Sequence, residues 1–246
     1  MKMNNSKVTT TDLKHNGVDD TASFWKGTLG ATPFAGPFLA EIVGKLIPNQ
    51  RMDRISAFLK ILDNSLQKVE ENLEVLESKM KEEAFLNAFE EASWQSTKSS
   101  SIDRKEYLAS ILINNLTDDK LTEIQKSIFL NIINELNDVE ILILYDHTMK
   151  AKHDEIFKQK NENALREPVA CMSSSQDELD NSTLHQTYKE KLVRLNLLSK
   201  RFPKPKNGVV PDFDTKTGML KSNGNEITSL GKLFLKHIGL LEKEEL

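Results

Sequence analysis

Nine apolar residues between Met52 and Met80 recur in alternating steps of three and four, so one stripe of a helix would be apolar over four heptads. The members of this heptad stripe are Met52, Ile55, Leu59, Leu62, Leu66, Val69, Leu73, Leu76 and Met80. A helix with such a stripe is stabilised when the stripe is buried. The surrounding block 49–167 contains neither glycine nor proline, the residues that usually mark turns. The sequence therefore predicts a helical middle.

The heptad stripe could be buried in two ways. Packing against a second copy would give a dimeric coiled coil, whereas packing within the chain would give a bundle. Phe58 and Ile61 widen the stripe, and the flanking positions carry no consistent pattern of opposite charges that would specify a second strand. We therefore favour packing within the chain over the dimer. The helix is expected to begin near Asn49 and, if it extends to Gln95, to bend near residues 81–83.

Capping signals predict the helices that follow. The polar tract STKSSS at 96–101 is expected to be a linker that ends in an N-cap, and Thr117 or Asp118 is expected to cap the next helix. Asn137 followed by Glu140 resembles a capping box. Between the last two signals, the apolar face of the predicted helix consists of Leu121, Ile124, Ile128, Ile132 and Leu136. These helices suit an antiparallel bundle.

Composition divides the chain into five parts. Residues 1–23 are polar and predict a disordered tail, and 24–48 form an apolar segment with glycine, proline and a short helix. The helical bundle covers 49–165, a polar loop covers 166–182, and a small C-terminal unit covers 183–246. The chain opens Met-Lys-Met-Asn-Asn-Ser with no apolar run behind it, which predicts a cytoplasmic protein.

The C-terminal unit combines helices with turn signals. The segment LHQTYKEKLVRLNLLSK (184–200) predicts a helix, and a final helix is predicted from Thr228 or Ser229. Between them, GVVPDF, GMLKS and NEIT predict short strands. Gly218 and the Asn223–Gly224 pair tolerate positive φ and therefore suit the hairpin turns between these strands.

This order of elements, with the wording LVRLNLLSK and EITSLGKLFLKHI, resembles the second half of a winged-helix domain. In that family the recognition helix precedes the wing, and a Thr-x-Leu-Gly phrase starts the last helix, here at Thr228, Leu230 and Gly231. The resemblance implies a winged-helix-like end that contacts nucleic acid. The fold class expected for the whole chain is mainly α: a helical bundle with a long heptad helix plus a small C-terminal winged-helix-like α+β unit.

Basic residues in the predicted recognition helix, and just after it, are candidate nucleic-acid contacts. They are Lys189, Lys191, Arg194, Lys200 and Arg201. A local basic patch is the usual footprint of phosphate binding. The chain as a whole carries a net charge of −4, so any such binding must be local, and a solvated helix face is the alternative interpretation.

Aromatic residues near the start of the chain suggest a third surface. Phe24, Trp25, Phe34 and Phe38 could form a patch that binds a partner or a membrane, because aromatic side chains suit interfaces. Lys26 interrupts this run, and a helix from Pro37 to Ile47 would ordinarily lie over a core. Core packing is therefore the favoured interpretation of this segment.

Residue types used in catalysis form no recognisable pattern. His147 and His153 lie six residues apart, a spacing that does not place two ligands side by side on a helix. Cys171 is a lone cysteine in the predicted loop, and no glycine-rich phosphate loop occurs. We therefore predict a non-enzymatic protein with no catalytic, cofactor-binding or metal site.

The wider chain resembles the abortive-infection, or phage-defence, proteins of the alpha type, a group of bacterial helical proteins. The resemblance lies in the apolar opening segment, the phrase IPNQRMDR (47–54), the helical middle and the Thr-x-Leu-Gly-x-x-Phe-Leu ending at 228–235. It implies a role in phage defence. We expect a helical interaction protein that binds a protein partner or associates with itself through helical faces. A winged-helix DNA- or RNA-binding regulator is the alternative, and a membrane-acting effector using 24–48 is a second alternative.

Overall fold

The computed structural model of this chain describes residues 52–69, 73–166, 174–204, 212–215 and 218–242. Of these residues, 70% are helical, which confirms the prediction of a mainly α protein. Within these ranges the helices are α1 (Met52–Leu66), α2 (Leu73–Met80), α3 (Glu83–Lys98), α4 (Ile102–Thr117), α5 (Glu123–Glu135), α6 (Asp138–Asp146), α7 (Met149–His153), α8 (Glu155–Leu165), α9 (Gln176–Arg194) and α10 (Ser229–His237). The strands there are β1 (Leu198–Lys200) and β2 (Asn225–Ile227). No helix in the described ranges is long and apolar enough to cross a bilayer.

The chain forms two compact units, and the division falls between Glu123 and Ile124. This boundary falls within the span 49–165 that the sequence predicts as a helical bundle. The physical reason is that α1 packs against α3 and α4, whereas α6 packs against α8 and α9. Helices of the predicted bundle therefore belong to two separate cores.

The first unit is built around α1. Six members of the heptad stripe are buried, each with at most 2% of its surface exposed: Ile55, Leu59, Leu62, Leu66, Leu76 and Met80. Phe58 widens this buried face, as its position beside the stripe suggested, and its ring centroid lies 6.5 Å from that of Phe89 on α3. These described members of the stripe are therefore buried within a single chain.

The heptad helix is broken, contrary to the expectation of one helix up to a bend near residues 81–83. The N–H groups of Lys68 and Val69 donate to carbonyls three residues earlier, and such tight bonds end α1 after Leu66. A second break, at the predicted bend, separates α2 from α3. An unbroken helix from Asn49 to Gln95 would measure about 70 Å. The breaks allow its segments to share one core.

Helix α3 continues through the first half of the predicted linker 96–101, which is a further correction. Ser96 and Thr97 are buried in the helix, and their hydroxyl groups donate to the carbonyls of Ser93 and Trp94 at 2.7 Å. Hydroxyl groups satisfied in this way can be buried at little cost, so a polar tract does not need to be a loop. The predicted N-cap is confirmed at Ser101, whose side chain accepts from the N–H of Arg104.

The predicted start of the next helix, at Thr117 or Asp118, is wrong. Asp118 is instead the C-cap of α4, and its carboxylate accepts the N–H of Lys120 in a turn that delays α5 until Glu123. The buried side of α5 also differs in part from the predicted face, of which Ile132 and Leu136 are buried. That buried side consists of Phe129, Leu130, Ile132 and Ile133. Ile124 and Ile128, which were expected to be buried, are 79% and 41% exposed.

Helix α9 starts inside the predicted loop 166–182, because Ser175 and Glu178 form a capping box that the sequence analysis missed. It also ends earlier than predicted. Asn196 adopts a φ of 57°, and the N–H groups of Asn196 and Leu197 return to the carbonyls of Val193 and Leu192. This Schellman motif ends the helix and turns the chain into β1.

The small sheet follows from that turn. Strand β1 pairs antiparallel with β2, with Leu198 opposite Ile227. Of the predicted strands, NEIT supplies β2, whereas GMLKS and the described end of GVVPDF contribute the single bridge Phe213–Leu220. Positive φ at Gly218 and Gly224 agrees with the predicted turns.

Helix α10 begins at the predicted N-cap, Thr228. The Thr228 side chain accepts from the N–H of Gly231 and donates to the carbonyl of Asn196 at 2.6 Å. A Cβ atom at Gly231 would lie 2.3 Å from the carbonyl oxygen of Leu197. Because residue 231 has no side chain, the first turn of α10 can lie close to Leu197, the residue just before β1.

Candidate functional site

The basic residues predicted to contact nucleic acid lie on different elements. Three of them, Lys189, Lys191 and Arg194, lie on α9, and Lys200 and Arg201 lie at the end of β1 and just beyond it. Each of the three on α9 has an acidic neighbour within the second unit. They are therefore less available to phosphate than the sequence suggested.

Lys191 is held by a carboxylate. Its Nζ donates to Glu140 Oε2 at 2.9 Å, and the Glu140 side chain is only 2% exposed. The same oxygen accepts the N–H of Asn137 in the predicted capping box, which the structure confirms. Lys191 therefore neutralises a buried charge at the start of α6 and joins that helix to α9.

Lys189 and Arg194 also face acidic groups. Partial burial lowers the pKa of Lys189, and the nearby carboxylate of Asp146 raises it in part. The guanidinium of Arg194 lies 3.7 Å from the carboxylate of Glu135, with both side chains largely exposed. Exposed pairs of this kind are weak, so Arg194 keeps more freedom than Lys191.

The water-facing side of α9 is acidic. Its exposed charged residues are Asp177, Glu178, Asp180, Glu190 and Arg194. Four carboxylates against one guanidinium would repel a phosphate backbone at this helix. The exposed side of α9 therefore carries more negative than positive charge.

Lys200 and Arg201 are exposed and differ from each other in their surroundings. The Arg201 side chain lines a cleft, and its Nη2 lies 3.4 Å from the carbonyl oxygen of Asn223. Lys200 does not line this cleft. The two cations therefore form a natural matched pair for experiments, because they are adjacent in sequence and equal in charge.

The cleft is an open cavity of about 1210 Å³ in the second unit. One wall runs from the end of α6 through α7 to the start of α8, and the other comprises β2, Arg201, Lys232 and Leu241. Its charged residues are Asp146, Lys150, Lys152, Asp154, Glu155, Arg201, Glu226 and Lys232. The sequence did not predict this site, because its walls are joined only by the fold.

Two histidines that the sequence analysis set aside, His147 and His153, both line the cleft. In each, Nδ1 lies 2.8 Å from a backbone carbonyl four residues earlier, that of Ile143 for His147 and that of Met149 for His153. A carbonyl oxygen only accepts, so Nδ1 carries the hydrogen, and Nε2 of a neutral ring is an acceptor. His147 is the C-cap of α6 and His153 lies in α7, so ligand spacing on a single helix does not describe how the two rings come to line one cleft.

The remaining predicted sites have these outcomes. The patch of Phe24, Trp25, Phe34 and Phe38 lies outside the described residues, as does Cys171. Within the ranges that are described, no group of three or more histidine, cysteine or acidic side chains is arranged to hold a metal ion. Comparisons of this chain with protein-family models, with curated proteins and with solved structures gave no match.

Proposed function

We propose that this chain is a non-enzymatic, cytoplasmic helical protein that acts by binding a protein partner through an exposed face of α5. The observation that carries the proposal is the exposure of Ile124 and Ile128, at 79% and 41%. These residues are four apart and so lie one above the other on the helix. Apolar side chains at this spacing are the usual anchors by which a helix occupies a groove of another protein.

The proposed setting is bacterial phage defence, and it rests on the resemblance to abortive-infection proteins of the alpha type. Part of that resemblance is the phrase Thr-x-Leu-Gly-x-x-Phe-Leu at 228–235. Thr228 caps α10, Gly231 permits its close approach to Leu197, and Phe234 and Leu235 are buried. These roles account for the residue types in the phrase and support a packing shared by proteins that contain it.

A phage challenge of bacteria that express the chain tests both parts of the proposal. We expect protection by the unaltered chain, and loss of protection in the double variant Ile124→Lys/Ile128→Lys, because two ammonium groups cannot enter an apolar groove without a large desolvation cost. The matched control is Ile102→Lys, which alters an isoleucine that is 64% exposed on α4. Absence of protection would remove the defence role, and equal protection by all three chains would remove the α5 surface.

A winged-helix nucleic-acid-binding regulator is the second candidate. The order α9, β1, a bridged hairpin, β2 and α10 supports it, together with the exposure of Lys200 and Arg201. Because the outer side of α9 is acidic, such a regulator would contact phosphate through the hairpin and not through α9. A mobility shift at low salt tests this candidate, since non-specific attraction is strongest there. The membrane-acting alternative depends on 24–48, outside the described residues, and stays a prediction.

A further inference from the structure

We propose that the cleft of the second unit binds a nucleotide. This binding is separate from the proposed protein-binding role and involves other residues. It depends on three kinds of group that line one cavity: cations without a carboxylate partner, the Nε2 atoms of two histidines as hydrogen-bond acceptors, and exposed apolar side chains. A nucleotide carries the chemistry that each of these groups prefers.

The charges of the cleft balance formally but not locally. Asp146 lies near Lys189, Asp154 caps α8 by accepting the N–H of Phe157, and Glu155 pairs with Lys158 at 3.0 Å. Two of these carboxylates therefore have a cationic neighbour, and Asp154 has a hydrogen-bond donor that leaves its charge in place. The fourth carboxylate is Glu226.

The cations are less engaged. Lys150 lies 3.6 Å from the carboxylate of Glu242. Among the described side chains, no carboxylate pairs with Lys152, Arg201 or Lys232. Three cations against the carboxylates of Asp154 and Glu226 leave a small local positive excess. An anion with several oxygen atoms, such as a phosphate chain, would match it, and the planar guanidinium of Arg201 suits two such oxygens at once.

The other groups specify the remainder of the ligand. Nε2 of His147 and of His153 accepts hydrogen bonds when the ring is neutral, which suits the hydroxyl groups of a ribose. Met149 and Ile156 line the cleft while 67% and 81% exposed, and their side chains offer an apolar surface for a flat base. The cleft is open to solvent, and its volume of about 1210 Å³ leaves room for a whole nucleotide.

The test is displacement of a fluorescent ATP analogue from the full chain at low salt, with ATP, inorganic triphosphate and adenosine as competitors. We expect ATP to compete about tenfold better than triphosphate or adenosine alone, because each fragment satisfies only part of the cleft. Arg201→Ala and Lys232→Ala should each weaken binding about five- to tenfold through loss of a charge-assisted contact. Circular dichroism of each variant establishes that it is folded.

The matched control is Lys200→Ala, which removes the same charge one residue away and outside the cleft. Its affinity for ATP should stay within about twofold of the unaltered chain. The proposal is overturned if ATP fails to bind at about 1 mM, or if Lys200→Ala weakens binding as much as Arg201→Ala. It is equally overturned if a single-stranded oligonucleotide of about twelve nucleotides binds the chain and ATP does not displace it.

Discussion

The substitution Gly231→Ala should destabilise the second unit severely. The new Cβ would lie 2.3 Å from the carbonyl oxygen of Leu197 and 2.9 Å from Cγ1 of Ile227. The first of these is a backbone atom, so a side-chain rotation cannot relieve the clash. The first turn of α10 must therefore move away by about 1 Å, which is the shift that restores a normal contact.

That movement also damages the hydrogen bonds at the same point. The carbonyl of Leu197 accepts from the backbone N–H of Thr228 at 3.0 Å and lies 3.1 Å from its hydroxyl oxygen. Overpacking costs about 1–3 kcal/mol, each weakened hydrogen bond adds about 1 kcal/mol, and the better helix propensity of alanine returns about 1 kcal/mol. The expected net loss in the free energy of unfolding is about 2–4 kcal/mol.

Urea denaturation followed by circular dichroism measures this loss, and hydrogen exchange of peptides from 192–240 assigns it to the second unit. The control is Ser229→Ala, which alters an exposed residue of the same helical turn and should change stability by less than about 0.5 kcal/mol. If Gly231→Ala unfolds at the same urea concentration as the unaltered chain, the close approach of α10 to Leu197 does not exist.

Three further predictions concern Lys191, Asn196 and Lys105. Lys191→Ala leaves the buried carboxylate of Glu140 without its cation and should cost about 3 kcal/mol in urea denaturation, whereas Lys200→Ala should cost almost nothing. Asn196→Gly should be neutral or stabilising, because the φ of 57° suits glycine. Asn196→Val should lower the free energy of unfolding by about 1–2 kcal/mol, because a β-branched residue is strained at this φ. Equal free energies of unfolding for the glycine and valine variants would contradict the left-handed conformation of residue 196. Burial, and to a smaller extent the charge of Arg54, lowers the pKa of Lys105 below its ordinary 10.5. Between the lowered pKa and 10.5 the unfolded chain therefore binds more protons than the folded chain. The free energy of unfolding should rise with pH across this window, up to about pH 10.5. Lys105→Met should flatten that rise in pH-dependent denaturation, and an unchanged slope would contradict the assignment.

Local signals in the sequence located several structural features correctly. The N-caps at Ser101 and Thr228 and the capping box of Asn137 and Glu140 were all predicted, because each depends on residues within a few positions of one another. The buried heptad stripe was predicted for the same reason, since its spacing fixes which side of a helix is apolar.

Features that leave no signal in the residue pattern, or that depend on distant residues, could not be predicted. The heptad spacing continues across the break after Leu66, so the pattern alone could not show that α1 ends there. Ser96 and Thr97 look like linker residues until their hydroxyl groups are seen to bond within α3. Lys191 looks free until the fold brings Glu140, 51 residues away, to 2.9 Å.

The candidate sites show the same limit. The five basic residues are close in sequence, but the fold divides them among an ion pair, two acidic neighbourhoods and two positions at the end of β1 and just beyond it. The cleft collects His147, His153, Arg201 and Lys232 from separate elements, so no short motif indicates it. The apolar spacing on α5 predicted burial of Ile124 and Ile128, whereas the helix buries Ile132 of that face together with Phe129 and Ile133.

The most direct test of the proposed protein interaction is photocrosslinking in infected cells. A benzoylphenylalanine residue placed at position 128 on α5 should give a crosslinked species of one discrete mass, and the same residue at position 102 on α4 should not. The account predicts this difference because Ile128 lies on the proposed binding face and Ile102 does not. The absence of an adduct at position 128, or the same adducts at both positions, would contradict it.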